Sequence, residues 1–277
     1  MNAIRWCDVT NPVGIRGCSA ISPGCAHCYA AAMAYRLGAM SSPPLGYLPE
    51  MTYIGRDGVA RWTGVVHADA ELLRHDLARL PKRKPTLVFP SMVDPFHGAI
   101  PVDHLDDALY EFAQRPHLRL QLLTKRAHRL LGYANRRRAP LPPGTWIGVT
   151  CEDQKRANER IPLLLRAAEI LRPAVTFLSV EPLLERVNLR LCDEFPVDGG
   201  CYEDARHHIG LVIVGGESGP RARPCDVDWI VDVVWQCKNA GVPVMVKQLS
   251  PPIGADVARW PTDLKVYYSR PSEIFEK

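Results

Sequence analysis

The chain has 277 residues, 47% of them hydrophobic and 23% charged, which excludes a largely disordered protein and leaves ample apolar material for a core. That length is close to two average domains, but it equally fits one α/β barrel of about 250 residues. Lys and Arg outnumber Asp and Glu by 34 to 30, a net charge of +4, which permits a nucleic-acid partner without requiring one.

The N-terminal Met1-Asn2-Ala3-Ile4-Arg5-Trp6 lacks the apolar run of a signal peptide. No stretch nears the roughly 20 apolar residues of a membrane span. A cytoplasmic protein with no membrane partner is therefore expected. A first strand is expected near Ile4–Cys7, followed by a Gly- and Pro-bearing loop over residues 17–30 that carries three cysteines. Residues 31–63, with Met40-Ser41-Ser42-Pro43-Pro44-Leu45-Gly46 inside them, read as a loop excursion over one face. A further strand is expected near Gly64–His67. Apolar, β-rich runs then recur at Thr86–Pro90, Leu118–Leu123, Thr145–Val149, Val175–Val180, Leu211–Val214 and Val242–Val246. They lie about 30 residues apart, the length of one strand–helix unit.

Helical patterns fill the gaps. Asp103–Gln114 puts Leu105, Ala108, Leu109 and Phe112 on one face, and Asp226–Ala240 does the same with Trp229, Ile230, Val233, Val234 and Cys237. Gly241 stands where that helix should stop. Continuous apolar strands alternating with helices predict a parallel sheet. The expected fold is α/β, a full or partial (β/α) TIM-type barrel forming one domain over 1–277, with 252–277 as a C-terminal extension. A doubly wound open sheet is the alternative.

Each strand is followed at once by polar residues. These are Ser91-Met92-Val93-Asp94, Thr124-Lys125-Arg126, Thr150-Cys151-Glu152-Asp153, Ser179-Val180-Glu181, Gly215-Gly216-Glu217-Ser218 and Lys247-Gln248. Parallel strands of a barrel put all their C-terminal ends on one rim, where the active site sits. Ser91, Asp94, Thr150, Glu152, Ser179, Glu181, Gly216, Glu217 and Lys247 are therefore expected to line one pocket. Exposed strand ends and helix caps explain any one of these groups; several carboxylates on one rim also suit a ligand bearing amino and hydroxyl groups. Cys151 follows its strand directly and is a candidate for the pocket, against the plainer reading of a small buried apolar residue.

The chain has nine cysteines, and an odd number without an export signal argues against a disulfide framework. Cys18, Cys25 and Cys28 form the pattern C-x6-C-x2-C. Three thiolates on one short loop point to a metal centre. Structural zinc wants a fourth ligand, for which His27 or Cys7 is available. A [4Fe–4S] cluster held by three cysteines leaves one iron open to a small ligand.

Taken together, these motifs resemble the three-Cys-motif phage protein family, a domain found in phages and prophages. The matching pieces are Asn11-Pro12-Val13, the loop Gly17-Cys18 to Cys28-Tyr29-Ala30, Leu123-Thr124-Lys125-Arg126 and Gly148-Val149-Thr150. Further along come Leu178-Ser179-Val180-Glu181-Pro182, Val214-Gly215-Gly216-Glu217-Ser218 and Val246-Lys247-Gln248. That family in turn resembles the radical S-adenosylmethionine (SAM) superfamily. The resemblance implies a partial barrel, a [4Fe–4S] cluster on Cys18, Cys25 and Cys28, an electron donor, and reductive cleavage of SAM to a 5′-deoxyadenosyl radical. The superfamily's usual spacing is C-x3-C-x2-C with an aromatic before the last cysteine; here the first gap is six residues and His27 stands at the aromatic position. If SAM binds, Asp94 and Glu217 are candidates for its ammonium and Glu152 or Glu181 for its ribose; each acidic group alone could instead hold a Lys or Arg in a structural pair. Gly215 and Gly216 would let backbone lie close to SAM, and Ser218 beside them is a further candidate for contact with it.

Lys125, Arg126, Arg129, Arg136, Arg137 and Arg138 make a basic stretch, read either as a solvated helix face or as a contact for phosphates. Cys192, Cys201, His207 and His208 lack a standard zinc spacing. The leading expectation is a radical SAM-type enzyme acting on a nucleic acid or nucleotide. The alternatives are a zinc-stabilised nucleic-acid-binding module without catalysis, and a barrel enzyme using Glu152 or Glu181 in acid–base chemistry.

Overall fold

Alternation of apolar side chains along short strands is what builds the molecule. A computed structural model describes residues 7–191, 209–219 and 221–268. In chain order its strands and α-helices are β1 (Val9–Thr10), β2 (Ile15–Gly17), α1 (Tyr29–Gly38), β3 (Thr52–Ile54), β4 (Ala60–Trp62), β5 (Val66–Ala68), α2 (Ala70–Ala78), β6 (Thr86–Phe89), α3 (Val102–Ala113), β7 (Leu118–Thr124), α4 (Ala127–Arg137), β8 (Trp146–Thr150), α5 (Gln154–Leu171), β9 (Val175–Val180), β10 (Leu211–Gly215), α6 (Val227–Asn239), β11 (Val244–Gln248) and α7 (Thr262–Lys265). Seven strands form one sheet in the order β1-β6-β7-β8-β9-β10-β11, and every pairing in it is parallel.

From β6 to β11 the spatial order follows the chain order. A doubly wound sheet would reverse direction at a switch point, so that alternative does not hold. The sheet curls into a half-barrel. Its two faces bury different side chains. Leu87, Phe89, Trp146, Phe177, Leu211, Ile213 and Met245 pack with one another on the face away from the helices. Val88, Leu120, Leu122, Ile147, Val149, Leu178, Val180, Val212, Val214, Val244 and Val246 pack under Leu109 of α3, Leu130 of α4, Leu164 of α5 and Val233 of α6. The split follows the period of two along a strand. Helix starts are set locally: Asp69, Asp153 and Asp226 each accept a backbone N–H in the first turn of α2, α5 and α6. Gly241, at φ +67°, ends α6 in the left-handed region.

Residues 31–63 are more regular than the expected loop excursion. Tyr29-Ala30-Ala31-Ala32-Met33-Ala34 is rich in the best helix former and makes α1, and β3 and β4 form an antiparallel hairpin. Ala30, Ala31, Ala34, Tyr47, Met51 and Trp62 pack into a small core of their own with Met92. The strand expected near 64–67 exists as β5, but it pairs antiparallel with β2 and not with the main sheet. The first sheet strand is Val9–Thr10; Cys7 is in no strand, and residues 4–6 of the expected one lie outside the described residues, as do Cys192, Cys201, His207 and His208. In the C-terminal extension Trp260 and Leu264 are buried, and Trp260 packs edge-on against Tyr268. Among the described residues no helix is long and apolar enough to cross a membrane.

The link between β2 and α2 is a buried ion pair. Arg16 donates twice to Asp76, at 2.9 and 2.7 Å, and Gly14 N donates to the same carboxylate at 2.9 Å. Asp76→Ala leaves a guanidinium buried without its partner and is expected to lower stability by about 3–5 kcal/mol. The double variant Arg16→Met, Asp76→Leu should lose much less. Urea unfolding of the three proteins checks both statements.

Candidate functional site

The polar residues after β6 to β11 surround a cleft at the C-terminal rim of the sheet, with the cysteine loop as its other wall. It holds about 1140 Å³ of empty space, part of it open to solvent. Cys18, Cys25 and Cys28 all line it, together with Ser91, Asp94, Thr150, Ser179, Glu181, Gly216, Glu217, Ser218 and Lys247. The three cysteines are free thiols. Burial, then the Asp94 carboxylate, pushes Cys18 up to about 12. A thiol so desolvated becomes thiolate only against a cation, which a bound metal supplies. Among the described residues no group of three or more His, Cys, Asp or Glu side chains is arranged to hold a metal ion as it stands.

The loop bearing the thiols is held from the strand ends at three points. After β6, Asp94 accepts from Arg126 at 2.7 Å, Thr124 at 2.6 Å, and the backbone N–H groups of Phe96 and Lys125. Arg126 passes the hold on by donating to the carbonyl and hydroxyl of Ser19, beside Cys18. After β8, Glu152 accepts from Arg160 at 2.7 Å, and its carboxylate lies against Gly24, where a Cβ would come within 3.1 Å of Oε1. After β10, Glu217 accepts from His27 Nδ1 at 2.9 Å and from Arg223 at 2.6 and 3.0 Å. Arg223 also donates to the carbonyl of Pro23. Tyr29 donates to the carbonyl of Ser91 at 2.8 Å. Asn11, at φ +59°, accepts from Met92 N and so fixes the turn after β6.

Several expectations need correction. Cys151 does not face the cleft. Thr150 lines the cleft, so its neighbour points the other way, and Cys151 is fully buried in the core beneath the helices. Burial raises its thiol far above the ordinary range. Glu152 does not line the cleft either; it is 0% exposed, paired with Arg160 behind the cysteine loop. Gly215 is not in the lining, being pressed against Glu181 and Gln248. Asp94 and Glu217 do reach the cleft, but their oxygens are taken by arginines and backbone. Glu181 differs. Lys247 Nζ lies 3.2 Å from its Oε1, and that oxygen is buried against Gly215 without an aligned hydrogen bond, so a ligand's donor reaches it only if the side chain turns into the cleft. Lys125 donates to the Thr150 hydroxyl at 3.3 Å. Burial pushes the Glu152 carboxyl up, but the charges of Lys125 and Arg160 outweigh it and hold that carboxyl below the usual range. The signals that sequence alone could not supply are the arginines: Arg126, Arg160 and Arg223 stand 32, 8 and 6 residues from their carboxylates.

A family described as "Protein of unknown function (DUF5131)" matches residues 1–258, and the chain belongs to it. No curated protein and no solved structure matches the chain.

The Glu217 contact carries a pH signature. Burial by itself pushes its carboxyl up, but the hydrogen bonds from Arg223 and His27 outweigh burial and hold it below the usual carboxylate range. A carboxyl depressed in the folded state adds stability that is full above the unfolded value of about 4.3 and is lost as pH falls through the folded value. The stability excess of the native protein over Glu217→Gln is therefore expected to be constant near neutrality and to shrink below about pH 4. Chemical denaturation at a series of pH values measures it; an excess that grows on acidification would contradict the pairing.

Proposed function

We propose that this DUF5131 member is an iron–sulfur enzyme of radical SAM type, with Cys18, Cys25 and Cys28 as the cluster's thiolates and the strand-end cleft as the SAM site. The observation that carries the reading is the meeting of three free thiols with the strand-end groups in one cleft. Three thiolates suit a [4Fe–4S] cluster with one iron left for a ligand. The bound pair of cofactors would supply reductive cleavage of SAM to a 5′-deoxyadenosyl radical, with an electron donor as partner.

The chain's own part is to hold and to shield. Arg126, Glu152 and Glu217 keep the thiol loop against the rim, so the three thiols share one cleft before anything binds, and metal binding would draw them into the final ligand set. Phe89, Leu123, Met92 and Trp62 line the cleft with apolar surface, which excludes water from reactive species. Glu181 is the carboxylate left to accept from a ligand's ammonium or hydroxyl groups, in place of Asp94 and Glu217. Lys125 and Lys247 bring positive charge to the same rim and suit a ligand's carboxylate or phosphate.

Anaerobic reconstitution with iron and sulfide tests the reading. The expected product is brown, holds roughly four irons per chain, and binds SAM by titration calorimetry. Cys18→Ala, Cys25→Ala and Cys28→Ala should each lose the cluster while keeping the far-ultraviolet spectrum of the folded chain, since the sheet has its own core. Glu181→Gln should keep the cluster and weaken SAM binding about tenfold, the loss of one charge-assisted hydrogen bond. A colourless protein that retains zinc on the same cysteines would replace the reading with a structural metal.

A further inference from the structure

A second groove leaves the cleft at Lys125 and Arg126, which line both. It holds about 1080 Å³ of open space between the start of α4 and the side of α5. Next along is a smaller groove of about 680 Å³, lined largely by apolar side chains such as Phe96, Ile100 and Leu105, that shares His97, His128 and Arg129 with it and ends at Arg136. The two make one track from the cleft across the solvent face of α4. From Arg129 to Arg136 the helix rises about 10 Å, which is roughly three phosphates at the ~3.4 Å axial spacing of one strand.

Cations outnumber carboxylates on this track, and Arg136 at its far end is already paired with Asp106 at 2.7 Å. Arg129 is exposed and in no ion pair among the described residues. His128 is exposed beside it, and Arg156 is only loosely paired, 3.8 Å from Asp153. Glu159 is the one carboxylate among the described residues lining the first groove. Arg126 and Arg160 also line it, but their charges are already met by Asp94 and Glu152.

Two glycines on the track supply an independent observation. Gly132 sits inside α4, where glycine is the least favourable residue after proline, and nothing in the fold requires it. A Cβ there would meet no atom within 4 Å. Gly98, in the first groove, is likewise exposed and open, with no atom within 4 Å of a Cβ. Missing side chains over open space lower the floor of a groove and let another backbone approach closely.

We infer that this track binds the sugar–phosphate backbone of a nucleic acid and leads one of its nucleotides to the cleft. The second half of the statement rests on the cleft being the reaction site proposed above; the first half does not. A run of cations on a flattened helix face fits regularly spaced phosphates. An isolated small anion would need only one of them.

The test is binding of a short fluorescein-labelled oligonucleotide, followed by anisotropy, with DNA and RNA of the same sequence in separate arms. The full chain is used both as purified and after cluster reconstitution, without SAM. Affinity should fall steeply between about 50 and 200 mM salt. Arg129→Ala should weaken binding and reduce the slope of log affinity against log salt by about 1. Arg74→Ala, which removes an exposed cation from α2 away from the track, should change neither. Gly132→Leu is the sharper variant. It improves helix propensity, so the melting temperature should hold or rise, yet a side chain on the groove floor should weaken binding about tenfold, the cost of displacing one close backbone approach. Binding unchanged in Gly132→Leu, equal losses in Arg74→Ala and Arg129→Ala, or no binding at low salt would each overturn the proposal. So would displacement of the oligonucleotide by polyglutamate at equal charge concentration, which would assign the track to an acidic protein. The tighter of the DNA and RNA arms identifies the sugar. A protein that assembles no cluster but binds as described loses only the reading of the cleft; one that assembles the cluster and binds no oligonucleotide loses only the track.

Discussion

The site depends on carboxylates whose oxygens are committed to the protein itself. Asp94, Glu152 and Glu217 leave three different strands, and each holds a different point of one short loop: Ser19 through Arg126, Gly24 by direct contact, and His27 by a hydrogen bond. A loop of about ten residues with three thiols would otherwise sample many arrangements, and ordering each residue has a conformational cost of about 1–2 kcal/mol. Anchoring to the sheet rim places that cost in the folding of the chain. The thiols then begin from one cleft when they meet a ligand, which leaves less freedom to be lost than a free loop would have.

The parity of the strands divides labour in the same way. On β8 and β9 the residues on the cleft side are Thr150 and Ser179, while Val149, Cys151, Leu178 and Val180 hold the helices. One-residue slippage of either strand would exchange these sets, putting apolar side chains into the cleft and hydroxyls under α5. The apolar layer under the helices therefore guards the register of the polar layer above. At β10 and β11 the pairing shifts between Val214 and Gly215, and the backbone near Gly216 lies so close to Ser250 that a Cβ would collide with its hydroxyl.

Much of the sheet was legible because burial on both faces leaves continuous apolar runs. Thr86–Phe89, Leu118–Thr124, Trp146–Thr150 and Val175–Val180 all coincide with such runs to within a residue or so. What was not legible depended on pairing across distance. Val9–Thr10 is too short to carry a pattern, and it is a sheet strand only because β6 accepts it. Val66–Ala68 looks like another strand of the series, but it pairs with Ile15–Gly17 outside the main sheet. In the site, nearly all the polar strand ends do meet at one cleft. Placing Cys151 there overlooks the alternation that sends every second residue to the other face. For Glu152 and Glu217 the sequence leaves two roles open, ligand acceptor or partner of a Lys or Arg, and the fold brings Arg160 and Arg223 near enough to select the second.

Those arginines decide where a ligand's positive groups can go. A guanidinium holds a carboxylate through several donors in a fixed plane, whereas an ammonium is a point charge on a flexible stem. To use Asp94, a ligand would have to displace Arg126, a hydroxyl and two backbone N–H groups. It would also leave a buried guanidinium unpaired, a loss of about 3–5 kcal/mol. Glu217 is held by three hydrogen bonds from Arg223, a guanidinium that is partly exposed and so loses less when unpaired. Glu181 has only Lys247 opposite its Oε1, and that lysine can swing aside without stranding a fixed partner. The exchangeable corner of the cleft is therefore Glu181 and Lys247. The arginine-paired carboxylates are too committed to the cysteine loop to serve both roles.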